Sequence, residues 1–334
     1  MSFVVPVYSG EDHLEAVVRA VEAERAALDS NPDAPSAIVE LILVDDAAID
    51  GSPALIDRLA ESASWIVPVH LSRNYGQHAA TVAGIMHSSG DWVITIDEDG
   101  QHPPDRVFDL LSHAVSHGAD VVYARPTSGT VHQKVWRDGS SRTFKRAMEW
   151  LTSNPTLRLV NSFRLIRGPI ARATASVCGH STYFDVALFW FTQRIEAVEM
   201  ELRDQRFIET GRSGYNLKRL FAHAMRMLFS SQVRFLGLGL WIGAALFASS
   251  FLAGLYFLIL RIVAPETIGV PGWTSLFTVV CMSGGLLAIM VGLCLQYLST
   301  LVLKAHGKPT FFTIDRSGDA RLVEWFAHRS ANTP

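Results

Sequence analysis

Two long stretches without a charge constrain this chain more than any other feature. Phe235 to Leu260 holds no charged residue, and neither does Thr267 to Leu303. At about 1.5 Å per helical residue the first run alone reaches nearly 40 Å, more than the roughly 30 Å hydrocarbon core of a bilayer. Both runs are too long and too clean for core helices of a soluble domain. Between them, "RIVAPETIGVPG" carries only Arg261 and Glu266, and Pro271-Gly272 precede the second run. The pattern predicts a transmembrane hairpin over 234–304, with helices near 235–260 and 273–303. Lys218, Arg219, Arg226 and Arg234 flank one side, and Lys304 and Lys308 the other. That bias puts both ends in the cytoplasm and the short loop outside. Neither run has an internal acid or base, so an ion or solute pathway is not expected.

The rest of the chain is organised around this hairpin. Mean hydropathy is +0.21, and most of the apolar surplus lies in 235–303. In "SGYNLKRLFAHAMRMLFSSQVRF", Leu217, Leu220, Phe221, Ala224, Met225 and Leu228 share one helical face, while Lys218, Arg219, His223 and Arg226 lie opposite. Directly before a membrane run, that profile predicts an interfacial helix over 213–233. Residues 1–212 form the expected catalytic domain, and 305–334 a cytoplasmic tail. The net charge of −3 gives no basic field for nucleic acid. Cys178, Cys281 and Cys294 show neither metal spacing nor a disulfide framework, which fits a reducing compartment. "SFVVPV" at the start reads as a strand rather than a signal peptide.

Short apolar runs alternate with helical patterns through the first 125 residues. Expected strands are Phe3–Val7, Glu40–Val44, Ile66–Leu71, Trp92–Ile96 and Asp120–Tyr123, with helices near 11–28, 51–62, 76–88 and 104–117. Such alternation implies a mostly parallel sheet buried on both faces. "NSFRLIRG" and "IEAVEMEL" read as two further strands, with a helical region between them. Ligands of open α/β sheets sit beyond the carboxyl ends of the strands. "VPVYSGE", "VDDAAID", "LSRN" and "IDEDGQ" each place polar residues there. No Walker loop and no G-x-G-x-x-G follows the first strand, which disfavours a dinucleotide fold.

Within "DWVITIDEDGQHPPD", Asp97 and Asp99 share one side of an extended turn, and Glu98 is expected to face away. Two carboxylates at that spacing, with the Gln101 oxygen nearby, suit a hard divalent ion that keeps waters and bridges a diphosphate. Alone, the pattern equally describes a solvated acidic turn. Arg137 and Ser141 stand four apart and share a face if helical. Arginine also grips phosphate with two parallel hydrogen bonds.

Taken with "VVPVYSGEDHL", "LILVDDAAIDGS" and "LSRNYGQHAATVAGI", the acidic turn resembles the family 2 GT-A glycosyltransferases in order and spacing. The chain is similar in particular to the polyprenyl-phosphate glycosyltransferases, of the dolichol-phosphate mannose synthase, bactoprenol glucosyltransferase and aminoarabinose-phosphoundecaprenol synthase kind. "YARP", "RDGSSRTF", "NSFRL" and "GRSGYNLKRL" continue the likeness, as does the hairpin. The resemblance implies a GT-A (Rossmann-like, mostly parallel) α/β domain on the cytoplasmic side, an interfacial amphipathic helix and a two-helix transmembrane hairpin. It implies Mg2+ or Mn2+ at Asp97, Asp99 and Gln101. Pro6, Tyr8, Glu11, Asp46, Arg73 and Asp97 would hold a nucleotide diphosphate sugar. Arg125, Arg137 and Ser141 would hold the acceptor phosphate or donor diphosphate, with Arg164 near the phosphates. Ser213 and Tyr215 would close the site at the membrane. Asp99, Arg125, Arg137 and Arg164 would carry the catalysis, and a homo-oligomer is implied.

The chain departs from the family pattern at several points. "YSGE" stands for the usual "YNEE", so Gly10 replaces an acid. "DDAAID" stands for "DDGSxD", with Ala47 and Ala48 in place of a glycine and a hydroxyl. Ser162 stands for the glycine of "GFRL". The expected reaction is metal-assisted, inverting sugar transfer to a polyprenyl phosphate, which needs no general base. One alternative is a hydroxyl acceptor, with Asp185 in "STYFDVAL" as base. Another is a non-catalytic, membrane-anchored nucleotide-sugar binder, motivated by the altered loops.

Overall fold

The computed structural model describes residues 1–31, 34–127, 159–179, 182–200, 234–264, 272–305, 307, 309, 312–316 and 318–331. Arg137, Ser141, Ser213, Tyr215 and the predicted interfacial helix lie outside the described residues. The chain divides into two compact units. One holds the sheet and takes back the C-terminal segment from Pro309, and the other contains the two apolar helices.

The first unit runs β1 (Ser2–Val7), α1 (Leu14–Asp29), β2 (Glu40–Asp45), α2 (Ser52–Ser62), β3 (Ile66–His70), α3 (Gln77–His87) and β4 (Trp92–Thr95). A 3-10 turn (Pro104–Arg106) leads into α4 (Val107–His117) and β5 (Val121–Pro126). Then come β6 (Arg164–Arg167), α5 (Gly168–Val177), α6 (Phe184–Phe191) and β7 (Ile195–Met200). The sheet order is β3-β2-β1-β4-β6-β5-β7. All neighbours pair in parallel except β6, which runs antiparallel to both β4 and β5. The mostly parallel sheet agrees with the sequence expectation, whereas nothing in the apolar pattern of "NSFRLIRG" announced the reversed strand. The reversal puts the first residue of β6, Arg164, opposite Thr95 and Tyr123. One edge of the sheet therefore gathers the carboxyl ends of six strands and the amino end of β6.

Both faces are buried, as continuous apolar strands require. Phe3, Val5 and Val7 of β1 and Leu41 and Leu43 of β2 join a core with α1, α2 and α4. The intervening Val4, Ile42 and Val44 join a second core with α3, α5 and α6. This period of two is the strand pleat read directly as packing.

The expected C-terminal tail is partly built into the domain. Helix α9 (Asp319–Ala331; α7 and α8 are the two apolar helices below) packs on α4 and puts Leu322 into the first core. Arg167 holds Asp319 with two parallel hydrogen bonds of 3.0 and 2.8 Å. Arg167 and Arg316 both donate to Asp120 Oδ1, at 3.1 and 2.5 Å, and Thr192 donates to Asp120 Oδ2 at 2.7 Å. This network sits on the edge opposite the strand carboxyl ends.

In the second unit, α7 (Arg234–Val263) and α8 (Trp273–Ala305) form an antiparallel pair. Gly243 abuts the backbone at Ala288–Ile289 and Gly285 that of Phe247, so close that a side chain at either would strike the partner helix. Trp241–Val263 and Ser275–Val302 are long and apolar enough to cross a bilayer, with mean hydropathies of 2.0 and 2.2. Large side chains such as Trp241, Leu252, Ile262, Leu287 and Leu301 are exposed. A soluble core helix would bury them, so this pair reads as lipid-facing and the protein as a membrane protein.

Candidate active site

The strand-end cluster is built from four loops. After β4, the chain reaches Asp97 and Asp99, both half-buried. Asp97 Oδ1 accepts from Gln77 Nε2 at 2.6 Å and Oδ2 from Ser162 Oγ at 2.8 Å. Gln77 begins α3 and Ser162 precedes β6, so three elements converge on one carboxylate. Asp99 Oδ1 accepts the Gln101 N–H at 3.2 Å. His102 is buried, stacks on Phe163 and accepts the Asp97 N–H on Nδ1 at 2.9 Å. Burial lowers its pKa, against the pull of Asp97 and Asp99. Because Nδ1 accepts a backbone N–H, the ring shapes the turn as an acceptor.

Glu98 does not face away. Its Oε2 accepts the Tyr8 N–H at 2.8 Å, and both oxygens accept the Ser9 N–H, at 3.2 and 3.3 Å. The β1 loop is thereby fastened to the acidic turn. Pro6 is buried within β1, whereas Tyr8 is 39% exposed at its end. Glu11 is exposed, with Oε2 accepting the Gly51 N–H at 2.8 Å.

Asp46 is buried, and its two oxygens accept the N–H groups of Tyr75 and Gly76 at 2.7 and 2.8 Å. It fixes the loop that carries Arg73, whose exposed guanidinium lies 4.4 Å from the Tyr75 ring centroid. Ala47 takes φ +51°, the left-handed region that favours glycine. The neighbouring Asp45 accepts the Ala48 N–H at 2.7 Å and binds His70 Nδ1 at 2.9 Å.

Arg125 is exposed at the end of β5, on the same edge. Arg164 starts β6 on that edge but turns inward. It is 6% exposed, donates to Asp185 and, through Nε, to Thr95 Oγ1 at 3.2 Å, and lies over the Phe184 ring. Burial alone would lower its pKa, but the Asp185 carboxylate more than offsets this and leaves it raised. Asp185 also accepts from Tyr123 Oη at 2.6 Å. The expectation of Arg164 on a phosphate thus meets a guanidinium already committed to a buried acid.

The edge therefore brings Tyr8, Glu11, Asp46, Arg73, Asp97, Asp99, Gln101 and Arg125 to one side of the sheet, with Pro6 and Arg164 behind it. Sequence reasoning missed Gln77 and Ser162. Both lay in quoted motifs, but neither type advertises contact with a distant acid. The oxygens of Asp97 and Asp99 fit a hard divalent ion in chemistry. Among the described residues no three His, Cys, Asp or Glu side chains gather into a metal cage. A hard ion held by so few protein oxygens would keep an open coordination sphere.

Fold and edge together define an α/β enzyme domain, with its ligand side at the strand ends, joined to a membrane helix pair. The chain belongs to glycosyl transferase family 2, whose profile matches residues 2–218. It is 29% identical over 313 residues to an undecaprenyl-phosphate 4-deoxy-4-formamido-L-arabinose transferase of Pseudomonas aeruginosa, covering 93% of this chain and 88% of that one. It is 28% identical over 317 residues to the Klebsiella pneumoniae protein of that name, covering 93% and 92%. Among solved structures it is similar to glucosyl-3-phosphoglycerate synthase from Mycobacterium tuberculosis, at TM-score 0.43 and 17% identity over 69% of this chain and 78% of that chain.

Proposed function

We propose that the protein transfers one sugar from a nucleotide diphosphate sugar to a polyprenyl phosphate, in a metal-dependent, inverting reaction on the cytoplasmic face of the membrane. The product is a polyprenyl-phosphate-linked monosaccharide. The observation that carries this reading is the Asp97–Asp99 pair on the strand-end edge of a family 2 chain that also bears a lipid-facing helix pair. Relatives along 93% of the chain, helix pair included, are named for undecaprenyl phosphate.

Asp97 and Asp99, with Gln101 beside them, would hold Mg2+ or Mn2+, and the bound ion would neutralise the departing diphosphate. Tyr8 and Arg73 are the exposed groups for the nucleotide, and Glu11 flanks them. Asp46 supports that wall by fixing the Arg73 loop, and Pro6 supports it from within β1. Arg125 is the described cation for the acceptor phosphate. Arg137, Ser141, Ser213 and Tyr215 keep the roles that the resemblance implies. Arg164 acts as a positioning residue, through Thr95 and Asp185.

The acceptor phosphate is already anionic near neutral pH. One of its oxygens attacks C1 of the sugar from the side opposite the diphosphate. The new C1–O bond forms as the old one breaks, the nucleoside diphosphate departs, and no proton need be removed. The site mainly holds two anions together against their repulsion. Burial of Asp185 against Arg164 and Tyr123 weighs against its use as a base for a hydroxyl acceptor. Packing of α9 on the sheet domain supports both termini lying on one side of the membrane, as an even number of crossings requires.

Product analysis tests the acceptor class. Purified full-length protein, a panel of nucleotide sugars and a short polyprenyl phosphate should yield a lipid-linked sugar that mild acid releases. A glycoside that resists mild acid would contradict the phosphate acceptor.

A further inference from the structure

We propose that Glu98 is a positioning residue for the sugar donor. Its carboxylate anchors the β1 loop to the acidic turn, and Gly10 is the residue that makes room for it. The inference rests on the reading of the β1 loop as part of the donor site.

Four successive amides of this loop each donate to a side chain from another strand-end loop or, for Ser52, from the start of α2. Tyr8 and Ser9 donate to Glu98, Gly10 to Ser52 Oγ at 3.1 Å and Glu11 to Asp50 Oδ2 at 3.2 Å. Consecutive N–H groups of a loop form a natural anion cradle. Here two of the protein's own carboxylates and the Ser52 hydroxyl fill it, so the loop offers a ligand its side chains instead of its amides. The position of Tyr8 then depends on where Glu98 holds the backbone.

A Cβ on residue 10 would stand 2.9 Å from Glu98 Oε2 and 3.1 Å from Val7 Cγ1. A side chain there forces the flexible end of Glu98 to shift and so loosens its hold on the Tyr8 and Ser9 amides. Glu98 stands between Asp97 and Asp99, so the same turn that presents the acid pair also sets the nucleotide wall. Hydrogen bonds between a charged acceptor and backbone N–H groups are among the stronger ones. Two such bonds suffice to fix a short exposed loop.

The test uses full-length protein in detergent and four variants, Glu98→Ala, Glu98→Gln, Gly10→Ala and the Glu98→Ala/Gly10→Ala double variant. Hydrogen–deuterium exchange is read on the peptide spanning Tyr8 and Ser9. Steady-state kinetics use whichever nucleotide sugar the wild type turns over. Glu98→Ala should speed amide exchange at residues 8 and 9 and raise the donor KM about tenfold, as loss of charged hydrogen bonds implies. The acceptor KM and the rate at saturating donor should change by less than about twofold, because the groups that meet the acceptor are untouched. Gly10→Ala should shift both readouts the same way, and should add little once Glu98 is alanine, because the displaced group is then absent. Glu98→Gln, which keeps an acceptor oxygen, should recover part of the donor KM. Unchanged exchange in Glu98→Ala, an unchanged donor KM, or fully additive single effects would each overturn the proposal. A wild type that transfers no sugar would count against the glycosyl-transfer reading itself, whereas an active wild type with an indifferent Glu98→Ala counts against Glu98 alone.

Discussion

Arg164 and Asp185 form an ion pair in which the two residues are only 6% and 2% exposed. Tyr123 donates to the same carboxylate, its hydroxyl pKa pushed well up by burial and by the Asp185 charge. Removing one member of a buried pair leaves an uncompensated charge and costs about 3–5 kcal/mol. Asp185→Asn is therefore expected to lower the thermal midpoint sharply while the surviving folded protein keeps substantial turnover. A catalytic base would instead leave the folded molecules without turnover, whatever the midpoint. Thermal denaturation alongside activity per folded molecule separates the two.

Ala47 holds a left-handed φ of +51° where a glycine would be at ease. That conformation costs an L-residue about 1–2 kcal/mol. Glycine's greater freedom in the unfolded chain takes back about 0.4–1 kcal/mol. Ala47→Gly is expected to stabilise the domain by a net of about 0.5–1 kcal/mol, seen as a rise in the denaturation midpoint. A fall would show that the alanine methyl makes a contact worth more than the strain.

His70 bridges Asp45 at 2.9 Å and Asp57 at 3.0 Å. The bond to Asp45, with Asp57 assisting, raises its pKa despite partial burial. A raised folded-state pKa means a contribution that is complete below the unfolded value of about 6.5 and lost as pH climbs through the folded value. Wild-type stability should thus fall on going from mildly acidic to mildly alkaline pH. His70→Gln should flatten that slope, and midpoints measured at both ends of the range check it.

Asp319, which follows the helix pair in sequence, grips Arg167, which also contacts Asp120 and the Trp92 ring. Asp319→Ala removes two charged hydrogen bonds but leaves Arg167 one acid, so a loss of about 1–3 kcal/mol is expected. Limited proteolysis should then cut within 309–331 faster than in the wild type. An unchanged digestion pattern would show that Leu322 and its neighbours hold α9 without the ion pairs.

Much of this was legible in the residues themselves. Strands such as "FVVPV" and "LILV" could be read because parallel strands are apolar on both faces, and the helix pair because nothing else is uncharged for so long. The acidic turn was legible as chemistry, but its supports were not. Gln77 and Ser162 lie 20 and 65 positions from Asp97, and only the sheet order brings them there. Arg164 and Asp185 each resembled an active-site group, and their mutual burial became visible only with β6 reversed between β4 and β5. Glu98 looked superfluous because its partners are backbone amides, which leave no mark in a sequence. The docking of α9 was equally hidden, since a short amphipathic helix carries no address.

The central claim is that Asp97 and Asp99 run a sugar transfer to a polyprenyl phosphate. The most direct measurement is transfer of labelled sugar to undecaprenyl phosphate by purified wild type and by Asp99→Asn, with Mg2+ or Mn2+ present and thermal midpoints recorded for both. The account predicts wild-type product, and a loss of at least about 100-fold in Asp99→Asn at an unchanged midpoint, the scale seen when one charge-stabilising group is removed. Full transfer by Asp99→Asn would contradict it.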